Sequence, residues 1–179
     1  YKIKSILDIP CGDFFWFKII IKNLNVNYLG GDIVPQVIKL NQKYKNRRVK
    51  FKKFNLIKNT IPKKDLLICR DCLFHFSYRD IKHFFLNFKK SPTKYILLTN
   101  HIFKSKKILN KNILTGGFRL LDFHKYPFNF KKNYQEIFLD ENYPKTPVKK
   151  TMLLYTKKNF ISNINFFLKI SNEKKIIIE

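Results

Sequence analysis

At 179 residues, with 45% apolar and 16% aromatic side chains, the chain has the length and hydrophobic content of one folded domain with a substantial core, which excludes a disordered or fibrous protein. Its formal charge of +25 points toward anionic partners, but only five of the 37 basic residues are arginine (Arg47, Arg48, Arg70, Arg79 and Arg119), and the lysines are spread over the whole chain among many Asn, Ile, Phe and Tyr. That is the mixture A/T-rich codons produce, so a nucleic-acid partner is possible but not favoured.

Three cysteines, Cys11, Cys69 and Cys72, are too few for a disulfide framework and suit a reducing compartment. The Cys69-x-x-Cys72 pair has no second pair to complete a metal site, so no metal is expected. No apolar run is long enough to span a membrane and no signal peptide opens the chain, which gives the expectation of a soluble, cytoplasmic protein.

The first element is a short buried strand ending at Asp8, and Pro10-Cys11-Gly12-Asp13 turns it sharply, with Gly12 free of a Cβ where backbone approaches a ligand. Asp13 is placed to cap a helix over Phe14–Lys22. Strand, tight turn and helix form the opening unit of a doubly wound α/β sheet, whose ligands lie beyond the carboxyl ends of the strands. Such a turn can also be mere punctuation between elements.

A second strand runs from Val26 through Gly30 and Gly31 to Asp32, about 20 residues beyond the glycine turn, where an acid is placed to accept from both hydroxyls of a ribose. Its other reading is a helix-capping turn. Pro35 opens a helix with Val37, Leu40 and Tyr44 expected on one face. Val49 and Phe51 alternate with lysines up to Phe54 as a half-buried strand, followed by Asn55 and Leu56. Leu66–Arg70 is an uninterrupted apolar strand of the kind buried in a parallel sheet, and Asp71 and His75 follow it. Ser77 and Asp80 make a capping box before a helix whose Ile81, Phe84, Phe85 and Phe88 form one stripe; Ser91-Pro92 stops it. Tyr95–Thr99 is the next buried strand. Residues 100–130 lose periodicity and combine Thr115-Gly116-Gly117-Phe118-Arg119 with Tyr126-Pro127-Phe128-Asn129-Phe130, an insert expected to cover a site. Gln135–Leu139 and Thr151–Tyr155 read as an antiparallel hairpin around a proline-bearing turn. Residues 159–179 have apolar patches without clear period, and their role is unknown.

Leu7-Asp8-Ile9-Pro10-Cys11-Gly12-Asp13 resembles motif I of the class I S-adenosylmethionine-dependent methyltransferases, in the variant where Pro and Cys precede the glycine. That family usually spaces three glycines; here Pro10 and Phe14 hold the outer two positions. Asp65 through Ser77 closely resembles motif IV of one subgroup, associated with surface-polysaccharide and other glycan modification, and Gly116-Gly117-Phe118-Arg119 followed by Pro127-Phe128-Asn129-Phe130 resembles the same subgroup. The likeness covers Ile6 to about Tyr155. It implies a Rossmann-like, doubly wound, mostly parallel sheet with a C-terminal antiparallel hairpin, a methyltransferase domain over 1–158, and S-adenosylmethionine as cofactor. Members usually carry helices before motif I, and the chain begins at Tyr1 with its strand following at once, so those helices are expected to be missing.

The resemblance assigns cofactor contacts to Asp8, Pro10, Cys11, Gly12, Asp13, Asp32, Ile33, Asn55, Leu56 and Arg70. Asn55 stands where family members place an acid that binds the adenine amino group, and its amide oxygen can accept from that group without charge assistance. Asp71 and His75 are the candidate catalytic residues facing the methyl, imidazole having an ordinary pKa suited to a base at neutral pH. A histidine between two phenylalanines is also often a packed core residue. Arg70 is placed either to pair with a cofactor carboxylate or to neutralise Asp71, and Arg119 either to hold an anionic substrate group or to anchor the insert.

Methyl transfer from a sulfonium needs chiefly alignment and, where required, a base. The Asn/Asp-Pro-Pro-aromatic signature of enzymes that methylate DNA amino groups is lacking, so the expected acceptor is an oxygen, on a small molecule or a glycan. An RNA-modifying methyltransferase and a non-catalytic cofactor-binding domain are the alternatives. The glycine turn lacks the G-x-G-x-x-G spacing of a dinucleotide site.

Overall fold

The computed structural model describes residues 1–103, 109–142 and 148–172. Its strands are β1 (Ser5–Asp8), β2 (Asn27–Asp32), β3 (Val49–Lys53), β4 (Leu66–Cys69), β5 (Tyr95–Phe103), β6 (Glu136–Asn142) and β7 (Val148–Thr156), interleaved with helices α1 (Phe17–Ile20), α2 (Pro35–Asn41), α3 (Tyr78–Lys90) and α4 (Lys157–Asn172). The strands form one sheet in the order β3-β2-β1-β4-β5-β7-β6. The first five are parallel, and β7 pairs antiparallel with both β5 and β6. This is the Rossmann-like α/β architecture expected, with its closing hairpin; the proline-bearing turn itself, at 143–147, lies outside the described residues.

The period-two pattern of the strands sorts side chains onto two faces. Leu7, Leu67, Ile96, Leu98, Leu153 and Tyr155 face α3 and α4, where the Ile81, Phe84, Phe85 and Phe88 stripe is wholly buried. Ile6, Tyr28, Phe51 and Ile68 face the smaller cluster holding Phe14 and Phe17. The Ser77 hydroxyl caps α3 by accepting from the Asp80 N–H at 3.1 Å, a contact that stabilises a helix by about 1 kcal/mol.

Three expectations need correction. The helix after the glycine turn starts at Phe17, not Phe14, because Phe14 adopts φ 62° and buries its ring against Tyr28, Tyr44 and Phe51; Asp13 caps only a local turn, accepting from the Phe15 N–H at 3.0 Å. In α2 the inward face is carried by Ile38 and Asn41, while Leu40 is 67% exposed. The segment beyond 158 is a helix, α4, whose Phe160, Ile164, Phe167 and Leu168 recur at i, i+4, i+7 and i+8 and complete the larger core; residues 173–179 lie outside the described residues.

Candidate active site

Strand order reverses between β1 and β4, and that switch point is where an open α/β sheet leaves a crevice at the carboxyl ends of its strands. A cavity of about 580 Å³ opens there. Its floor is Ile9, Pro10, Asp71 and Cys72, just past β1 and β4. Ile33 past β2 and Phe54, Asn55 and Leu56 past β3 form one wall; His75, Phe76 and the start of α3 form the other. Thr115 and Gly116 of the long insert border it as well.

The glycine turn is held by contacts from two later elements. Asp32, 6% exposed, accepts from the Gly12 N–H at 3.2 Å and from the Val34 N–H at 3.0 Å. The Asn41 amide donates to the Gly12 carbonyl at 2.7 Å, and the Cys11 N–H donates to the Gly31 carbonyl at 2.8 Å. Gly12 has φ +53°, and a Cβ added to it would meet nothing within 4 Å, so the turn leaves open space beside its Cα while its N–H and carbonyl stay engaged by Asp32 and Asn41. Each Asp32 oxygen carries one protein donor and keeps acceptor capacity for a ligand.

Asp8 is 1% exposed and accepts from the Tyr28 hydroxyl at 2.7 Å, but its Oδ1 has no hydrogen-bond partner among the described residues. Burial pushes its carboxyl up to about 7, against the lowering effect of the Tyr28 hydrogen bond. The Cys11 thiol is raised to about 12 by burial, and so is an inert packing group at neutral pH.

Asn55 borders the cavity, yet its amide oxygen accepts from the Ile57 N–H at 2.9 Å and the Lys58 N–H at 3.0 Å. The side-chain nitrogen is the group it has left for a ligand. Arg70 borders a different recess, beside Trp16, and forks onto Asp140 with Nη2 at 2.9 Å and Nε at 3.2 Å; Asp71 is the weaker partner at 3.8 Å.

Asp71 takes φ 51° and donates its N–H to the Thr99 hydroxyl at 2.8 Å. Its carboxylate meets the ammonium of Lys150 at 3.2 Å, and Lys150 in turn meets Asp140 at 3.4 Å. Arg70, Asp71, Lys150 and Asp140 thus close a ring of alternating charge across β4, β6 and β7. Sequence reasoning singled out neither Lys150 nor Asp140, since both look like ordinary polar residues of a hairpin until the strands pair.

His75 Nδ1 lies 2.8 Å from the Gly117 carbonyl. A carbonyl only accepts, so Nδ1 carries the proton and Nε2 keeps a lone pair. The ring also packs on Phe74 and Phe118. Arg119 is buried over the Tyr78 ring and donates from Nη1 to the Phe76 carbonyl at 2.7 Å, with Nε and Nη2 lacking hydrogen-bond partners among the described residues; burial lowers its guanidinium to about 10. It ties the insert to the start of α3, as Thr115 does through the Ser77 N–H at 2.9 Å and the Asp80 carboxylate.

Among the described residues no cluster of His, Cys, Asp and Glu is suited to a metal ion, and no helix is long and apolar enough to cross a membrane. No family model and no curated protein matches the chain. Solved structures do. The N-terminal domain of EvdMO1, in the presence of SAH and D-fucose, aligns over 87% of this chain and 76% of its own with a TM-score of 0.61 and 14% identity. An O-methyltransferase from a trans-AT PKS multienzyme of Brevibacillus brevis, in complex with S-adenosyl-L-homocysteine, aligns over 94% and 73% with a TM-score of 0.58 and 13% identity. Human N-acetylserotonin methyltransferase, in complex with SAM, aligns over 86% of this chain and 48% of its own with a TM-score of 0.58 and 11% identity. At such identities the likeness is one of fold: the chain has the Rossmann-like α/β fold of S-adenosylmethionine-dependent methyltransferases.

Proposed function

We propose that the chain is an S-adenosylmethionine-dependent O-methyltransferase acting on a hydroxyl of a small molecule or glycan. The observation that carries this reading is the cavity of about 580 Å³ at the switch point, beside a turn where Gly12 leaves open space and the end of β2, where Asp32 keeps acceptor capacity. These features fit the cofactor's ribose and the close approach of a ligand to the glycine turn. The same fold holds SAH or SAM in the EvdMO1 domain and in the other solved methyltransferases, and the D-fucose present with the EvdMO1 domain favours a sugar hydroxyl.

When bound, the cofactor supplies a methyl group already activated on a sulfonium. Asp32 would accept from the ribose hydroxyls, Ile33 would pack on the base, and Asn55 and Leu56 would border its far edge. The insert carrying Thr115, Gly116 and Arg119 would cover the site and exclude water. His75, with Nδ1–H held by Gly117, presents Nε2 as a base for the acceptor hydroxyl; Asp71, fixed by Lys150, is the second candidate. Arg119 serves as an anchor of the cover.

Calorimetric titration with S-adenosylmethionine and S-adenosylhomocysteine tests the reading. Binding by the wild type that Asp32→Ala weakens about tenfold or more, the loss of a charged hydrogen bond, supports it. No binding by the wild-type chain overturns it.

A further inference from the structure

Opposite the cavity, at the amino-terminal ends of β1, β2 and β3, a recess of about 310 Å³ is bordered by Arg47, Arg48, Lys50 and Lys64 over a polar floor that includes Ser5 and Asn27. We propose that this recess is a binding site for an oxyanion of the phosphate class, separate from the methyltransferase cavity. The proposal does not depend on the methyltransferase reading.

The lysines of this chain are spread along the sequence, so a local excess of cation means little by itself. Here the fold gathers them. The turn into β3 supplies Arg47 and Arg48, β3 supplies Lys50, and the connection into β4, two residues before that strand, supplies Lys64. Two of only five arginines in the chain stand side by side at this rim, and guanidinium forks match phosphate oxygens in a way that lysine ammoniums do not.

Asp65, the acid next to Lys64, is already engaged. Asp65 accepts from the Lys94 ammonium at 2.8 Å, the Ser5 hydroxyl at 2.9 Å and the Lys4 N–H at 3.0 Å. Arg48 is oriented by Asn25, to which Nη1 donates at 2.7 Å, and its turn is shaped by the Asn46 side chain, which accepts from the Arg48 and Val49 N–H groups. Among the described residues Arg47 has no ion-pair partner. Burial and the charge of Lys50 both push the Lys64 ammonium down, with Asp65 opposing; Arg47, Arg48 and Lys50 stand exposed around the same recess, where an anion relieves the repulsion among them. Tyr28, the one aromatic residue bordering the recess, is itself buried, so the site has no platform on which a base could stack and the recognised group is the phosphate.

The probes are inorganic pyrophosphate, by calorimetry, and a labelled single-stranded RNA, by fluorescence anisotropy, both at low salt. The double variant Arg47→Gln/Lys64→Gln is compared with Lys131→Gln/Lys132→Gln, which removes the same charge from an exposed segment elsewhere. All four side chains are at least partly exposed, and thermal melts verify that both variants fold. The expected result is pyrophosphate binding that the rim variant weakens roughly tenfold or more and the control variant leaves within about twofold. If RNA affinity falls in parallel, the phosphate belongs to a polynucleotide; if it is indifferent to the rim variant, the site takes a small phosphate. Absence of pyrophosphate binding by the wild type, or equal weakening by the two variants, overturns the proposal.

Discussion

Asn41, at the end of α2, reaches back 29 residues to donate its side-chain amide to the carbonyl of Gly12 at 2.7 Å. The helix after the second strand therefore fixes the turn after the first. Asn41→Ala removes the strong donor to that partly buried carbonyl and leaves it the Cys11 thiol at 3.6 Å, which costs about 1 kcal/mol. Chemical denaturation should show a lower midpoint with an unchanged slope, and calorimetry a loss of S-adenosylmethionine affinity, because the turn loses its orientation. An unchanged midpoint would mean that the turn holds itself.

Gly31 sits where β2 passes under Ile9 and Phe54. An added Cβ would stand 2.8 Å from Ile9 Cγ1 and 2.9 Å from Phe54 Cβ, both in the buried core. Gly31→Ala should destabilise the fold by about 1–3 kcal/mol through overpacking, read as a drop in melting temperature. A variant as stable as wild type would show that Ile9 and its loop yield freely.

Asp8 has a folded-state carboxyl near 7, raised from 3.8 chiefly by burial. The native state holds this proton more tightly than the unfolded chain does, so its contribution is fully present below the unfolded value and is lost as pH rises through the folded one. The slope between those limits is about 1.4 kcal/mol per pH unit. Asp8→Asn keeps an acceptor for Tyr28 and removes the ionisation. The variant should gain about 2–3 kcal/mol on wild type between roughly pH 5 and pH 8, measured as the difference between their denaturation curves. A difference that does not change with pH would show that Asp8 is solvated in the native state.

The sequence by itself determined the order and kind of most elements, since period-two runs, a capping box and a one-sided aromatic stripe are local signals. Five parallel strands, the α3 stripe and the closing hairpin were legible that way, and so were the acids at the ends of β1 and β2. That the insert approaches the site could be anticipated only from its irregularity and from family resemblance; the structure borders the cavity with its Thr115 and Gly116. The start of α1 was hidden because Phe14 leaves helical backbone for a buried aromatic cluster, a choice made by Tyr28, Tyr44 and Phe51 from later in the chain. α4 was missed although its apolar spacing is helical, because apolar residues outside the stripe blur the period.

Other features are decided only when the sheet assembles. Lys150 and Asp140 join Arg70 and Asp71 because β7 lies beside β5 and β6 beside β7. Asn55 and Arg70 were singled out by the family resemblance, but their partners were chosen by neighbours: backbone N–H groups two and three residues on for Asn55, and a hairpin acid for Arg70. Position after a strand follows from local sequence, whereas hydrogen-bond partners depend on which distant groups the packed sheet brings within about 3 Å. The basic rim at the opposite edge follows the same rule: cations scattered along a chain become a site only where strand order gathers their ends.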